Sequence, residues 1–178
     1  MTTTGTRGRC LPFDHADHLA VARFLTEEAH LLDDRDFKRW LEMLDPEVQY
    51  RVPVTTTVPA RGGAGRTAPS DHFMDDFFSL KMRVERFGSA FAWAEDPPSR
   101  TRHMVSNVAT FESAPGEVAS RSALLIFRSR GDLYAPDFIC GERHDVFRRN
   151  GAGELRLLKR TVHLDEAVLR TQNLSFLL

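Results

Sequence analysis

The sequence contains few cysteines and no cluster of metal ligands. Cys10 and Cys140 are the only cysteines in 178 residues, which argues against a disulfide framework. An iron–sulfur cluster or a structural zinc site needs about four cysteine or histidine ligands at close spacing. The seven histidines form no facial triad with a carboxylate, and only His15 and His18 have helical ligand spacing. We therefore expect no metal, no cofactor and no redox chemistry on this chain.

A strong net charge and a long apolar run are also missing. The chain has 24 lysines and arginines against 25 aspartates and glutamates, so no net field attracts nucleic acid or an anionic membrane. No apolar run approaches the roughly 20 residues that span a bilayer, and the N-terminal residues lack the apolar core of a secretory signal. We expect a cytoplasmic protein with neither nucleic acid nor membrane as a partner.

The length fits one domain with a substantial hydrophobic core. Residues 1–12 are polar, contain Gly5 and Gly8, and are predicted to form a flexible or docking arm. Residues 13–178 are predicted to form a single α+β domain.

Three amphipathic helices are predicted in the N-terminal half. The first covers residues 18–32 and begins at Asp14 or Asp17. Its apolar stripe includes Val21, Leu25, Glu28 or Ala29, and Leu32. Glu28 borders this stripe, where it either faces solvent or faces a cavity.

The second helix is predicted over residues 36–44, capped by Asp34 or Asp36. The third is predicted over residues 71–87, capped by Ser70 or Asp71, because Phe73, Phe77, Leu80, Val84 and Phe87 follow helical spacing. Gly88 suits the position after its end.

The remaining segments alternate as strands do. Residues 48–54 form a first strand, with Pro53 marking a sheet edge or the strand end. Residues 55–70 are rich in glycine, proline and threonine and are predicted to be a mobile loop. Strands follow at 117–130, whose apolar centre indicates burial on both faces, and at 138–149 and 154–164. The hairpin signal Asn150-Gly151 makes them an antiparallel meander.

The run from Trp93 to Val108 joins the two halves. Pro97 and Pro98 force an extended entry into a further strand. Alternation places His103, Val105, Asn107, Ala109 and Phe111 on one face, predicted to be the inner one. The inward His103 and Asn107 either line a pocket or are hydrogen-bonded core groups.

The last strands carry many charges, and the final residues are apolar. The charges either pair across strands or form an arginine-rich protein interface. They are Arg121, Arg128, Glu142, Arg143, Asp145, Arg148, Arg149, Arg156, Lys159 and Arg160. Leu174, Phe176, Leu177 and Leu178 are predicted to dock on this domain or on another subunit, because burying each side chain is favourable by about 1.5–3 kcal/mol.

This order of elements resembles the cone-shaped α+β fold of the nuclear transport factor 2-like (cystatin-like) superfamily. In that fold, helices close the mouth of a strongly curved antiparallel sheet. The superfamily contains isomerases, dehydratases, binding modules and structural subunits, so the fold alone decides no function.

Three segments resemble the small (β) subunit of bacterial aromatic-ring-hydroxylating dioxygenases, of the biphenyl, benzene and cumene type. They are EEAHLLDDRDFKRWLEMLDPEVQYRVPV at 27–54, RVERFGSAFAWAEDPPSRTRHMVSNV at 83–108 and LKRTVHLDEAVLRTQNLSFLL at 158–178. The resemblance implies a non-catalytic subunit whose large partner carries a Rieske [2Fe–2S] cluster and a mononuclear Fe(II). It further implies three large and three small subunits, electrons from NADH through a reductase and a ferredoxin, and cis-dihydrodiol products.

The positions that match this family are predicted to hold the fold or the subunit contacts. They are Asp34, Trp40, Tyr50, Trp93, Asp96, Pro97, Arg100, Arg102, His103, Asn107, Arg160, Leu164, Asn173 and Leu174, and Phe176 is added from the apolar tail. Asp96, Arg100 and Arg102 are interpreted as polar anchors, across an interface or within the subunit.

Two alternatives stay open. The first is an independent pocket enzyme of the dehydratase or isomerase kind, with Tyr50, His103 and either Asp34 or Glu28 as acid–base groups. The second is a subunit that tunes substrate choice through the loop at 55–70.

Overall fold

The computed structural model of the chain describes residues 8–56, 67–87, 99–131, 135–167 and 177–178. The elements, in chain order, are α1 (Ala16–Asp33), α2 (Phe37–Glu42), β1 (Leu44–Thr55), β2 (Thr67–Asp75), α3 (Phe77–Phe87), β3 (Arg100–Glu112), β4 (Glu117–Ser129), β5 (Asp137–Arg149) and β6 (Leu155–Leu164). The α+β class predicted from the sequence is confirmed. None of the helices in these segments has the length and apolar character needed to cross a membrane.

The six strands form one curled sheet in the order β2-β1-β6-β5-β4-β3. Strands β3 to β6 pair antiparallel in sequence order, so the predicted meander is confirmed. Strand β1 is antiparallel to β2 but parallel to β6, with Tyr50 opposite Arg160. The first and last strands therefore lie side by side.

The inner face of the sheet and the helices share one core. Along β4, buried and half-buried residues alternate strictly, with Leu124 and Ile126 buried and Leu125 and Phe127 half-buried. The prediction of burial on both faces of β4 was therefore wrong. Phe24 of α1 packs edge-on against Phe147 of β5, at a ring-centroid distance of 4.8 Å, which identifies the face that α1 covers as the inner one.

The helix boundaries differ from the predictions at their caps. His15, and neither Asp14 nor Asp17, caps α1, because its ring nitrogen Nδ1 accepts a hydrogen bond from the Asp17 amide at 3.1 Å. Asp36 caps α2 by accepting from the Arg39 amide at 3.2 Å, one of the two predicted caps.

The segment predicted as one helix over 71–87 is a strand followed by a shorter helix. Residues up to Asp75 belong to β2, and α3 begins at Phe77, with Asp76 accepting from the Ser79 amide at 2.8 Å. Phe73 therefore lies in a strand, where its ring stacks on Tyr50 of β1 at 5.9 Å. Residues 67–70 of the predicted loop belong to β2, whereas 57–66 and Gly88 lie outside the described residues.

Strand β3 reverses its faces at a bulge. The register with β4 shifts between Ser106 and Ala109, and Asn107 has a positive φ of 52°. His103 is buried on the predicted inner face, but Asn107 is exposed, and Thr110 is fully buried beyond the bulge. The prediction of an inward Asn107 was wrong because one extra residue moves the following side chains to the opposite face.

Two further segments complete the description of the sheet. Residues 8–12 lie along the end of β3, where Cys10 bridges to Phe111 and the Leu11 amide donates to the Thr110 carbonyl at 2.8 Å.

Pro53 lies neither at an edge strand nor at the end of β1, but at a register irregularity opposite Asp71. Proline removes a ladder hydrogen bond, so it is accommodated where the pairing is already interrupted.

Candidate functional site

A network of buried charges occupies the inner face of the sheet. Arg160 of β6 donates from Nε and Nη2 to the two carboxylate oxygens of Asp145 on β5, at 2.8 and 2.9 Å. Its Nη1 and Nη2 also donate to Glu28 of α1, at 2.7 and 2.8 Å. All three side chains are at most 1% exposed. Glu28 therefore faces the interior and is not solvated at the edge of the helix stripe.

Three more residues surround this network. Arg143 of β5 donates from Nη1 to Glu28 at 3.3 Å. The Trp40 indole donates to the same carboxylate at 3.1 Å. The guanidinium of Arg160 lies 5.7 Å from the Tyr50 ring centroid. We call Glu28, Arg143, Asp145 and Arg160 the interior charge network.

The electrostatics of the network favour its ionised form. Burial alone would raise the pKa of Glu28, but the positive charges of Arg160 and Arg143 and the hydrogen bonds it accepts leave that pKa below its usual value of 4.5. Burial likewise opposes the charge on Arg160, but Asp145 and Glu28 raise its pKa well above the ordinary range. Burial also raises the pKa of Tyr50, so this phenol keeps its proton.

A second group of contacts fastens Leu177 and Leu178 to the interior. The Tyr50 hydroxyl donates to the main-chain oxygen of Leu178, and Arg160 Nη1 lies 3.5 Å from the same oxygen. His103 Nε2 donates to the Leu177 oxygen at 3.0 Å. Both leucines are at most 2% exposed, so this part of the predicted apolar tail docks on its own domain.

His103 is held from its other side by Asp33 at the end of α1. The Asp33 carboxylate lies 2.6 Å from Nδ1 of His103 and also accepts from the His103 amide at 3.0 Å. Both ring nitrogens of His103 thus contact oxygen atoms of the same chain. Arg102 adds a contact of 3.3 Å to the same carboxylate. These bonds tie α1 to the edge strand β3.

These contacts determine what the interior does chemically. A general acid or base must reach a substrate atom, whereas Tyr50, His103 and Glu28 are each engaged by groups of their own chain. Asp34 is exposed and forms the cap at the end of α1. The pocket-enzyme alternative therefore has no assembled acid–base site among the described residues.

The predicted site residues separate into three groups. Those buried in the fold are Trp40, Tyr50, His103, Arg160 and Leu164. Those exposed on the surface are Asp34, Arg100, Arg102 and Asn107. Those outside the described residues are Trp93, Asp96, Pro97, Asn173, Leu174 and Phe176.

The sequence predictions missed Asp33 and did not distinguish the roles of Arg143 and Asp145 within the charged strands. A signal for the latter two was available, because they share the parity of Ile139 and Phe147 and therefore point to the same face of β5. Glu142 has the opposite parity on β5 and pairs on the outer face with Arg121 of β4. The charged residues of these strands are thus divided between an inner group and an outer group.

The described residues offer no place for a metal ion or an iron–sulfur cluster. No three of their His, Cys, Asp and Glu side chains are arranged to hold a metal ion. Cys10 and Cys140 are both exposed, one beside β3 and the other on β5. A cluster that needs about four cysteine or histidine ligands does not fit these residues.

Comparisons with known proteins agree on one family. A family model described as the ring hydroxylating beta subunit matches residues 27–171. The biphenyl 2,3-dioxygenase subunit beta of Rhodococcus jostii is 34% identical over 179 residues, which cover 98% of this chain and 95% of that protein. A structure of naphthalene 1,2-dioxygenase with indole in its active site matches with a TM-score of 0.80 and 28% identity, over 92% of this chain and 88% of that one.

The β subunit of benzoate 1,2-dioxygenase from Burkholderia mallei matches with a TM-score of 0.70 at 16% identity, over 94% of this chain and 100% of that one. At this identity it shows the fold alone. A curled, mainly antiparallel sheet covered by helices places this chain in the nuclear transport factor 2-like class of α+β folds. Within that class, this chain belongs to the family of ring-hydroxylating dioxygenase β subunits, which are not themselves catalytic.

Proposed function

We propose that this chain is the small subunit that supports a large (α) subunit in an aromatic-ring-hydroxylating dioxygenase, with no chemistry of its own. The observation that carries the proposal is that the polar side chains of the interior bind one another. Glu28 binds Arg160 and Arg143, His103 binds Asp33, and the hydroxyl of Tyr50 is engaged by Leu178. Residues that a pocket enzyme would direct at a substrate stabilise this chain instead.

The large subunit would carry the metal groups. We propose that it holds a Rieske [2Fe–2S] cluster and a mononuclear Fe(II), and receives electrons from NADH through a reductase and a ferredoxin. The complex, with three large and three small subunits in the cytoplasm, would convert an aromatic compound and O2 into a cis-dihydrodiol. The aromatic substrates in the names of two relatives, biphenyl and naphthalene, support this substrate class.

The exposed family positions are the best candidates for contact with the large subunit. Asp34, Arg100, Arg102 and Asn107 lie on β3 or at the adjacent end of α1, and we call them the β3-edge surface. β3 is an outer strand of the sheet, and arginine is enriched at protein interfaces. Arg102 is 64% exposed even though it contacts Asp33, so its guanidinium has donors free for a partner.

Co-expression tests the assembly. The chain should copurify with a ring-hydroxylating large subunit as a particle of defined mass, and the pair should form a cis-dihydrodiol when a reductase and a ferredoxin are supplied. The isolated chain should bind no stoichiometric iron and oxidise no arene. Arene oxidation by the isolated chain would overturn the proposal.

A charge reversal tests the β3-edge surface. Arg100→Glu should reduce copurification of the large subunit by at least about tenfold, since like charges at an interface cost more than about 1.4 kcal/mol. Lys38→Glu, at an exposed position of α2, is the matched control and should leave assembly unchanged. Equal assembly of both variants, with unchanged melting temperatures, would place the interface elsewhere.

A further inference from the structure

The two arginines of the interior charge network are bonded very differently. Arg160 makes four hydrogen bonds of 2.7–2.9 Å to Asp145 and Glu28. Arg143 makes one, of 3.3 Å, to a Glu28 oxygen that Arg160 already binds. Both arginines are buried to the same extent. The carboxylates of the network therefore serve Arg160 and leave Arg143 poorly neutralised.

One complete edge of Arg143 has no partner. Its Nε and Nη2 atoms are buried without a hydrogen-bond acceptor, although the side chain is only 1% exposed. These two N–H groups point the same way and are spaced for the two oxygens of a carboxylate. Arg160 shows this geometry nearby, because its own Nε and Nη2 bind both oxygens of Asp145. Leaving the buried donors of a charged group without an acceptor costs free energy of folding.

The strand that faces Arg143 supplies two more polar groups. Ser122 lies directly opposite Arg143 in the β4–β5 register, and Ser120 lies opposite Asp145. Both serines are buried on the inner face, and both hydroxyl oxygens lack a partner. Directly opposed side chains of antiparallel strands begin about 5 Å apart, so these hydroxyls are within reach of a group bound at the Arg143 edge.

The charge at this position favours an anion. Burial lowers the pKa of Arg143, and repulsion from Arg160 lowers it further, while Glu28 and Asp145 only partly compensate. A negative group at the Arg143 edge would offset both effects. It would also accept from the serine hydroxyls, which can donate as well as accept.

We infer that the Nε–Nη2 edge of Arg143, together with Ser122 and Ser120, forms a buried binding site for a small carboxylate of the size of formate or acetate. The carboxylate binds side-on to the guanidinium and accepts a hydrogen bond from a serine hydroxyl. No covalent bond is made or broken. The bound anion stabilises the fold because it pairs the buried donors of Arg143. The site is independent of assembly with a large subunit.

Thermal unfolding of the full chain with sodium acetate tests the site, at constant ionic strength set with sodium chloride. Acetate at about ten times its dissociation constant should raise the melting temperature by about 3–5 °C. Arg143→Lys keeps the charge beside Glu28 but lacks the paired edge, so its acetate-dependent shift should disappear. Ser122→Ala keeps the edge and should weaken acetate binding by about tenfold.

A crystal structure of the chain soaked in formate provides the second readout. Planar density against Nε and Nη2 of Arg143, with an acetate-dependent shift lost in Arg143→Lys, supports the site. Isolated water density, or the same stabilisation by chloride and acetate, overturns it. Should Arg143→Lys fail to fold, an unchanged acetate affinity in Ser122→Ala would contradict the proposed geometry.

Discussion

At the scale of single residues, Glu28 is a buried carboxylate on which the stability of the fold depends. It joins α1 to β6, β5 and α2 by accepting from Arg160, Arg143 and Trp40, respectively. Neutralising it leaves two guanidinium groups in the interior with only Asp145 as a counter-charge. Removing one partner of a buried ion pair usually costs about 3–5 kcal/mol, because the remaining charge stays desolvated.

Glu28→Gln should therefore lower the free energy of unfolding by about 3–5 kcal/mol, measured by urea denaturation. The adjacent Glu27→Gln is the matched control. Glu27 is 49% exposed and lies 3.6 Å from Arg39, so its loss should change stability by less than about 0.5 kcal/mol. Similar values for the two variants would show that the interior charge network contributes little.

Wild type and Glu28→Gln should differ in how their stability responds to acid. The pKa of Glu28 is below its usual 4.5 in the folded chain, so the folded state binds fewer protons there than the unfolded state does. Its stabilising contribution is complete above pH 4.5 and is lost as the pH falls toward the folded pKa. The stability gap between wild type and Glu28→Gln should consequently narrow below pH 4.5. A gap that stays constant with pH would contradict a lowered pKa.

At the scale of elements, the bulge in β3 sets which side chains face the interior. Asn107 adopts a positive φ of 52°, a region in which glycine and asparagine are tolerated and β-branched residues are strained. It lies between His103, which reaches Leu177, and Thr110, which bonds to His18 at 3.1 Å. Both inward contacts depend on the extra residue, since without it one of them would point outward.

Asn107→Val should lower the free energy of unfolding by about 1–3 kcal/mol, because valine is strained at positive φ. Asn107→Gly should stay within about 1 kcal/mol of wild type. Ser106→Val is the control on the same exposed stretch, and it should be neutral or slightly stabilising because valine favours strands. Chemical denaturation of the three variants measures this order, and equal losses at 106 and 107 would contradict a strained bulge.

Sequence periodicity identified most elements but failed where two patterns overlap. Phe73, Phe77 and Leu80 have helical spacing, yet Phe73 is in β2 because β1 offers it pairing and a stack on Tyr50. Arg51 reinforces that pairing by binding Asp71 at 2.7 Å. Local spacing contains no information about such tertiary partners, which override it. The bulge at Asn107 was hidden for the same reason.

At the scale of the whole molecule, the last two residues connect distant parts of the chain. Leu177 and Leu178 meet His103 of β3, Tyr50 of β1 and Arg160 of β6 through their main-chain oxygens. Their side chains belong to the same core as those of α1. The apolar character of this segment predicted docking, but the sequence alone left open whether the acceptor was this domain or another subunit.

Leu177→Ala and Leu178→Ala should each lower the free energy of unfolding by about 2–4 kcal/mol, as expected for a large-to-small change in a core. Leu19→Ala is the control, because Leu19 is 58% exposed on α1 and its loss should cost less than about 0.5 kcal/mol. Urea denaturation of the isolated chain provides the measurement. Two neutral variants at 177 and 178 would show that the segment does not hold the interior.

The fold class and the family could be predicted from the sequence, whereas the interior charge network could not. Glu28 was recognised as bordering the apolar stripe of α1, but its partners Arg160 and Arg143 are 132 and 115 residues away in the chain. Arg160 shares the alternation of buried Val162 and Leu164 along β6, but nothing local shows that Glu28 of α1 packs against it. Only the curled sheet brings the three residues together.

The parallel pairing of β1 with β6 constrains how the chain folds during its synthesis. Leu44–Thr55 is synthesised early, but its partner Leu155–Leu164 follows about a hundred residues later. Such long-range pairing gives a high contact order and slows folding. During translation, Val48, Tyr50 and Val52 of β1 are therefore made before the strand β6 that pairs with them. The nascent chain is prone to aggregation until β6 has left the ribosome.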